Sequence, residues 1–523
     1  MQIPKQRALR KQNVVRRFLN WLCSWRGVRR ILIVLAWTAA IIALLYAEEN
    51  WRGWRVWETY RKELEARGEQ FDLKLFIPQP IPDDQNFAAT PIAASWFENA
   101  KVGEGPNKWE DPYAQLHYKV PSRTWGRTNQ NFIDLDGWAM AFEPLKAGRT
   151  NDDRQLKRGK LGSDSRARAA PSVLELLKPN KAMFSELQAA SSRPLSRYPI
   201  KYDLDNPGGI LLPHLNQLKE VILRLRLKAC AELALGQNNA ALEDVKLMLR
   251  LTDSVKNEPF LVCYVVRVAC LQLAIQPVWE GLAEHRWSDA QLQEFQTRFR
   301  EYDLLVDLQK VVRSERAAGV LTADLLYHRN YRLNVLFNRS DVRLPDLLAR
   351  LAPRGWYQLE QVNYCRFYQK QWEEVFDSEN QRIFPEQAKR ASNAKEEIYT
   401  NSLFQAALRH RVLAVLLVPR LDGLWAKGAA GQTAADQVVL ACALERYRLM
   451  NGRFPESLNN LVPTFVAQLP HDLITGEPYK YRRDENGQFV LYSIGWNAQD
   501  DGGTPGKTYP HFTDGDWVWR SSP

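Results

Sequence analysis

The pattern of apolar and polar positions begins with 17 uncharged, mostly apolar residues, Ile31–Ala47. At about 1.5 Å per helical residue this run spans roughly 26 Å, close to a bilayer core of about 30 Å. Trp21 and Trp25 precede the run and further Trp residues follow it, as in the aromatic belts of membrane interfaces. The pattern predicts a transmembrane helix over residues 31–47.

Aromatic residues then recur every three positions, at Trp51, Trp54, Trp57 and Tyr60. This spacing predicts that the helix continues beyond the membrane as a juxtamembrane helix. It is expected to end before Gly68, because glycine is favoured just past a helix C-terminus.

The rest of residues 48–171 is rich in Trp and Pro and lacks a clear period, which predicts an irregular region. Within it, residues 151–171 are strongly polar and carry six basic side chains, which predicts a flexible loop. A phosphate-binding patch is the alternative. It is disfavoured because no aromatic residues lie between the basic ones.

Residues 172–430 show the period of amphipathic helices and predict a helical domain. The main predicted helices are Leu215–Leu235, Ala240–Val255, Phe260–His285, Asp289–Tyr302, Leu304–Tyr327, Glu360–Val375 and Thr400–Val418. The first two form a hairpin joined by Gly236, with small residues such as Ala231 and Ala241 that let helices approach closely. This hairpin resembles a single tetratricopeptide-type unit. A solenoid needs at least about three units and the sequence holds no second clear copy, so we expect one repeat-like hairpin in a helical domain.

Residues 434–520 change to a mixed pattern of helix and strand. Asp436–Leu449 is predicted as an amphipathic helix. Two strands are predicted at Tyr479–Arg483 and Phe489–Ile494, because the Asn486-Gly487 pair between them is a strong hairpin signal.

An ordered set of short motifs runs through this C-terminal module. The set is Ala443-Leu444, Tyr447, Asn451-Gly452, Phe454-Pro455, Leu469-Pro470, Asp472, Gly476, Pro478-Tyr479, Tyr481 and Tyr492–Gly495. It resembles the globular part of the major pseudopilin of type II secretion systems, which implies a small α+β domain. The chain departs from that family at its anchor, because Val28 and two arginines follow Gly27 where an apolar run is required. A polymerising pilin subunit is therefore not expected.

In the pseudopilin family the terminal loop binds calcium. The resemblance therefore implies a calcium site among Asp500, Asp501, Asp514 and Asp516. Calcium takes about six to eight oxygen ligands, including carboxylates. The alternative is that these residues form Asp-Gly turns.

The net charge of +11 is concentrated at the N-terminus. Residues 1–30 carry nine basic and no acidic side chains, which leaves the remainder with 62 basic and 60 acidic residues, a net charge of +2. Because basic flanks stay in the cytoplasm, residues 1–30 are predicted as a cytoplasmic tail. The helix is then a single-pass anchor in the inner (cytoplasmic) membrane, and the body is extracytoplasmic. The nearly neutral body disfavours a nucleic-acid partner.

A buried core helix and a cleaved secretory signal are the two alternatives for the apolar run. A core helix needs neither the basic flank nor the Trp residues at both ends. The residues after the run, including Tyr46 and Glu48, fit poorly into a small-x-small cleavage site. An uncleaved signal anchor is therefore the favoured interpretation.

The sequence contains none of the common catalytic or nucleotide-binding motifs, and its seven histidines are scattered. The six cysteines are expected as buried free thiols, with an inter-helix disulfide as the alternative. Asp83 and Asp84 are expected in a turn. Arg313, Glu315 and Arg316 are predicted to form a buried polar cluster with Asp307, as a structural ion-pair network.

Together these features predict a bacterial envelope protein with a non-catalytic role in scaffolding or interaction, whose partners are the membrane and other envelope proteins. A membrane-tethered hydrolase acting on envelope polymers is one alternative. It requires a groove that gathers Asp83, Asp84 and the Trp residues of region 83–150. An accessory component of a type II secretion-like apparatus is the other alternative.

Overall fold

The structure is a computed structural model that describes residues 24–98, 111–116, 131–146, 163–328, 352–399, 405–406, 409–417, 421–507 and 513–523. Several predicted features lie partly outside these ranges. They are the basic tail as far as residue 23, the irregular region at residues 99–110, 117–130 and 147–150, the polar segment at residues 151–162, the helical domain at residues 329–351, and parts of the helix predicted over residues 400–418.

The described residues are mainly helical, as the sequence predicts. Helices α1 to α8 are Trp25–Glu65, Pro91–Glu98, Pro112–Leu116, Leu135–Lys146, Ser163–Leu176, Lys181–Ala190, His214–Ala234 and Asn238–Asp253. Helices α9 to α15 are Leu261–Ala283, Asp289–Arg300, Leu304–Tyr327, Arg354–Lys370, Pro385–Tyr399, Val412–Leu417 and Asp422–Asn451. Strands β1 to β5 are Phe376–Asp377, Arg382–Ile383, Lys480–Arg483, Phe489–Ser493 and Trp517–Arg520.

Helix α1 has 41 residues and two halves that differ in burial. The apolar half is exposed, and none of its most apolar 18-residue stretch is buried. Ser24 caps the N-terminus by accepting a hydrogen bond from the backbone N–H of Gly27. Gly68 follows the C-terminus with a φ of 85°, as predicted. The helix is long and apolar enough to span a membrane, a criterion that a signal sequence near the N-terminus also meets.

Helix α9 is also long and apolar, but two thirds of its most apolar stretch is buried. It packs against α7, α8, α11 and α15. A helix that is apolar on all sides and surrounded by other helices is a core helix. Buried apolar side chains from Trp57 to Trp519 form one continuous core around it.

The predicted hairpin of α7 and α8 is confirmed as two packed helices with a tight turn. Gly236 has a φ of 73° at this turn, and the backbone N–H of Gln237 donates to the carbonyl of Glu232 at 2.9 Å. Two packed helices occur in many folds, so the resemblance to a tetratricopeptide unit stays a prediction.

The flexible loop predicted over residues 151–171 is wrong for residues 163–171, which belong to α5. Arg166 of this helix is only 1% exposed, and it pairs with Glu280 and Glu284 at the end of α9. Its guanidinium also lies 4.2 Å from the ring centroid of Phe132. These partners are distant in sequence, so a side chain that looks solvated locally is buried. Helix α4 likewise forms within the region predicted as irregular.

The C-terminal helix α15 ends at Gly452, which has a φ of 75°. Strands β3, β4 and β5 then form an antiparallel sheet in that order. The two predicted strands are confirmed to within one residue, and β5 is a third strand that the sequence pattern did not predict. The amide of Gln437 donates to the carbonyl of Trp517 at 2.7 Å, and the indole of Trp279 donates to the carbonyl of Arg520 at 3.0 Å. These bonds attach the sheet to α15 and α9.

Candidate functional site

The four aspartates predicted to bind calcium lie in the loops between β4 and β5, where each accepts hydrogen bonds. Asp516 is buried, and its two oxygens accept from the backbone N–H groups of Asp501 and Gly503 at 3.2 and 2.6 Å. Asp500 accepts from the N–H of Gly502, two residues on, at 3.0 Å. Asp514 accepts from a backbone N–H seven residues earlier at 3.1 Å. Much of the hydrogen-bonding capacity of these carboxylates is thus used within the loops themselves.

The charges of this acidic loop are close enough to influence one another. Burial raises the pKa of Asp516, and the negative charges of Asp501 and Asp500 raise it further, whereas the two backbone N–H groups lower it. A bound cation would relieve the repulsion between these carboxylates. The structure does not test this, and calcium binding at these four positions stays a prediction.

The outer half of α1 packs against α12 just beyond the predicted membrane span. Gly53 and Gly355 lie at the crossing, and a Cβ added at Gly53 would come 2.2 Å from the carbonyl oxygen of Gly355. A Cβ added at Gly355 would come 1.9 Å from the carbonyl oxygen of Glu49. The amide oxygen of Asn50 also accepts from the backbone N–H of Gly355 at 3.0 Å. Glycine at both positions therefore permits direct backbone contact between the two helices.

Side-chain hydrogen bonds lie on both sides of this glycine crossing. The indole N–H of Trp356 donates to Glu49 at 3.1 Å. Roughly three turns further along α1, the hydroxyl of Tyr60 donates to the amide oxygen of Gln369 at 2.9 Å. Contacts at two separated points fix the direction of α12 relative to α1.

An ion-pair cluster continues this attachment beyond the end of α1. Glu69 pairs with Arg313 at 2.9 Å and with the fully buried Arg316 at 2.7 Å. The guanidinium of Arg316 also lies against two aromatic rings. The predicted network is wrong about Asp307, which pairs instead with Arg267 at 2.7 Å. It is also wrong about Glu315, which accepts a hydrogen bond from the backbone N–H of Leu261 at 2.9 Å. The sequence could not indicate Glu69 as the partner because it is about 240 residues away.

A cavity of about 350 Å³ lies between the segment after α1, the loop after α8, and α11. Its lining includes Gly68, Lys256, Glu258, Lys310 and Arg313. The cavity is therefore next to the junction of α1 and the rest of the fold, and its lining carries three basic and two acidic side chains.

The hydrolase alternative requires a groove with Asp83, Asp84 and Trp residues. Among the described residues, none of these lines the cavity. Asp83 and Asp84 lie exposed in a turn, as expected, while Trp96 and Trp138 are buried in the core. The described arrangement thus gives the hydrolase hypothesis no support.

One cluster of metal-ligating side chains was not anticipated from the sequence. His214 begins α7, Glu258 lies in the loop before α9, and Cys263 lies in the first turn of α9. Their ligating atoms all lie within 4.8 Å of one another, and no other group of three in the described part of the chain meets this criterion. All three side chains are buried, with relative exposures of 0%, 5% and 0%.

Glu258 lies at the centre of this cluster. His214 Nε2 is 3.0 Å from its Oε2 and 2.9 Å from its Oε1. The Cys263 thiol donates to Oε2 at 2.8 Å. Burial raises the pKa of the Cys263 thiol strongly, and the Glu258 carboxylate raises it further.

No sequence pattern indicates this cluster, because His214 lies 44 residues before Glu258 and Cys263 lies five residues after it. No metal or catalytic motif has that spacing. The five cysteines among the described residues are buried and free, as predicted. Burial alone did not distinguish Cys263 from the other four.

Comparisons of the chain with protein-family models, with curated proteins and with solved structures find no match.

Proposed function

We propose that the protein is a single-pass protein of a bacterial inner membrane, with a cytoplasmic N-terminus and an extracytoplasmic body that scaffolds or binds other envelope proteins. One observation carries the proposal: α1 is unbroken, and its exposed apolar half continues directly into a half that packs into the body. A continuous helix attached in this way holds the body at a fixed position relative to the membrane.

The dimensions of α1 support this arrangement. At about 1.5 Å per residue, residues 31–47 cover roughly 26 Å, and extension to Gly27 gives roughly 32 Å, which matches a hydrocarbon core of about 30 Å when Arg29 and Arg30 extend to the headgroups. The contacts with α12 begin at Glu49 and Asn50, within one turn of that limit. Trp51 and Trp54 remain more than half exposed at the same level, as expected for interfacial aromatic residues. The body therefore lies directly against the membrane surface.

The uncleaved anchor is distinguished from a cleaved signal by following both ends of the full chain. We expect an N-terminal epitope tag to remain on the protein and to sediment with membranes after alkaline carbonate washing. A C-terminal alkaline phosphatase fusion should be active, because that enzyme folds outside the cytoplasm. A matched variant with Leu35→Lys and Ile41→Lys should lose membrane attachment. A soluble body without the tag, or an inactive phosphatase fusion, would overturn the proposal.

The role of an accessory component in a secretion apparatus is the second candidate. It is supported by the contact between two of the pseudopilin-like motifs, the one at Asp472 and the one at Tyr492–Gly495. Buried Asp472 accepts from the hydroxyl of Ser493 at 2.9 Å and from the backbone N–H of Ile494 at 3.3 Å. Co-purification of secretion-system proteins from solubilised membranes would favour this role. A monodisperse protein without partners would argue against it.

A further inference from the structure

We propose that His214, Glu258 and Cys263 bind a Zn²⁺ ion inside the body. This site is independent of the membrane anchor and of the acidic loop. The argument rests on donor chemistry, on burial, and on the polar atoms that the cluster leaves unpaired.

The donor set matches the preferences of zinc. Zn²⁺ binds imidazole nitrogen, carboxylate oxygen and thiolate sulfur, and a site with three protein ligands leaves one tetrahedral position for an exchangeable ligand. Calcium and magnesium prefer oxygen ligands alone, so the thiol and the imidazole disfavour them. The three ligands come from α7, the loop before α9, and α9 itself, so a bound ion would join these elements.

The distances between the three ligating groups are slightly shorter than those in a zinc site, so the cluster needs only a small expansion to hold the ion. In a tetrahedral zinc site, bonds of about 2.0 to 2.3 Å place ligand atoms roughly 3.4 to 3.7 Å apart. The observed separations of 2.8 and 3.0 Å from Glu258 Oε2 are those of hydrogen bonds. Replacing the bridging hydrogens by an ion requires an opening of about half an ångström, within the reach of side-chain rotation.

Hydrogen bonding alone leaves this cluster incompletely satisfied. Within the described residues, Nδ1 of His214 is buried without a hydrogen-bond partner, and the buried Oε1 of Glu258 has its ion-pair contact with His214 Nε2 at 2.9 Å but accepts no hydrogen bond. A buried polar atom without a partner costs about 1 to 3 kcal/mol. A cation bound to the buried Glu258 carboxylate would offset the cost of burying that charge.

The proton balance of binding is simple. The Cys263 thiol loses its proton to solvent and binds as the thiolate, and the neutral His214 imidazole keeps its one proton on Nδ1 while Nε2 coordinates. Without a metal, burial raises the pKa of this thiol; a bound metal ion would stabilise the thiolate and so favour loss of the proton. Glu258 is also among the residues that line the 350 Å³ cavity, so the cavity reaches the residue at the centre of the cluster.

The ring of His214 is held in place by its neighbours. It stacks against Tyr198 and against Phe97, with centroid distances of 4.3 and 5.1 Å. A fixed ring lowers the entropic cost of coordination and keeps Nε2 directed at the carboxylate.

The test uses the full chain purified in detergent, first stripped with chelator and then titrated with Zn²⁺ or Co²⁺ alone. We expect one equivalent of zinc by elemental analysis, and in the cobalt form a near-ultraviolet charge-transfer band from thiolate to metal. Cys263→Ser should abolish that band, and His214→Gln should weaken affinity at least tenfold. Cys270→Ser is the matched control, because that thiol is buried two turns further along the same helix.

Three results would overturn the proposal: less than stoichiometric zinc in the reloaded wild-type chain, no charge-transfer band with Co²⁺, or a band that persists in Cys263→Ser. The first two are measured on the unaltered protein, so they remain decisive if a variant fails to fold. A band lost equally in Cys270→Ser would place the metal elsewhere and would also refute the assignment.

Discussion

Replacing Gly53 by Ala tests the glycine crossing that joins α1 to α12. The added methyl would lie 2.2 Å from the carbonyl oxygen of Gly355, which belongs to the backbone of α12 and cannot rotate away. The two helices must therefore separate, and the hydrogen bond between Asn50 and Gly355 at 3.0 Å must lengthen.

The expected size of the effect follows from two opposing contributions. Alanine is favoured over glycine inside a helix by about 0.8 to 1.0 kcal/mol. Against this gain, forced backbone shifts cost about 1 to 3 kcal/mol, and weakening a hydrogen bond costs about 0.5 to 1.5 kcal/mol. The net loss is about 0.5 to 3.7 kcal/mol, confined to the contact of α1 with α12.

Amide hydrogen exchange of the detergent-solubilised chain measures this local loss. Because about 1.4 kcal/mol changes an equilibrium tenfold, protection in α12 and in the outer half of α1 should fall by roughly 2- to 500-fold. The control is Gly423→Ala in α15, where an added Cβ meets nothing within 4 Å, so protection should be kept or slightly raised. Equal protection of α12 in Gly53→Ala and wild type would refute the close helix contact.

Three further predictions concern buried charges and the acidic loop. Glu69→Gln leaves the buried Arg316 without its carboxylate, which should cost about 3 to 5 kcal/mol and lower the thermal midpoint; an unchanged midpoint would contradict the ion pair. Burial raises the pKa of Asp436 to about 7 from its ordinary 3.8, so the folded chain keeps a proton that the unfolded chain loses between these pH values. The stability that Asp436 contributes therefore falls as pH rises from about 4 to 7. Asp436→Asn should flatten the dependence of the thermal midpoint on pH over that window. An unaltered slope would show that Asp436 is not its cause. Asp514→Asn with Asp516→Asn should remove any rise in thermal midpoint caused by calcium; a wild-type melting curve that is the same in calcium and in chelator would eliminate the calcium site.

The local features of the fold were predictable because neighbouring residues encode them. The apolar run and its flanks defined α1, Gly236 defined the turn of the hairpin, and Asn486-Gly487 defined the turn between β3 and β4. Each signal acts over a few residues, through helix period, positive φ or turn geometry. Such signals can be interpreted without knowing how the rest of the chain folds.

The polar residues that became buried were not predictable in this way. Arg166 lies in a segment with the composition of a flexible loop, yet Glu280 and Glu284 at the end of α9 neutralise it in the core. Glu69 reaches Arg316 across about 240 positions of sequence. A charge enters the interior only when its partner is already placed there, and that placement is a property of the whole fold.

The candidate metal cluster illustrates the same division. The sequence by itself determined a single apolar helix, a helical body, a small C-terminal sheet and an uneven charge. Only the tertiary structure decided that His214, Glu258 and Cys263 meet, and that Gly53 and Gly355 bring two backbones into contact. Both features depend on the packing of helices that are far apart in sequence, whereas the composition and period of each helix specify only which face is buried.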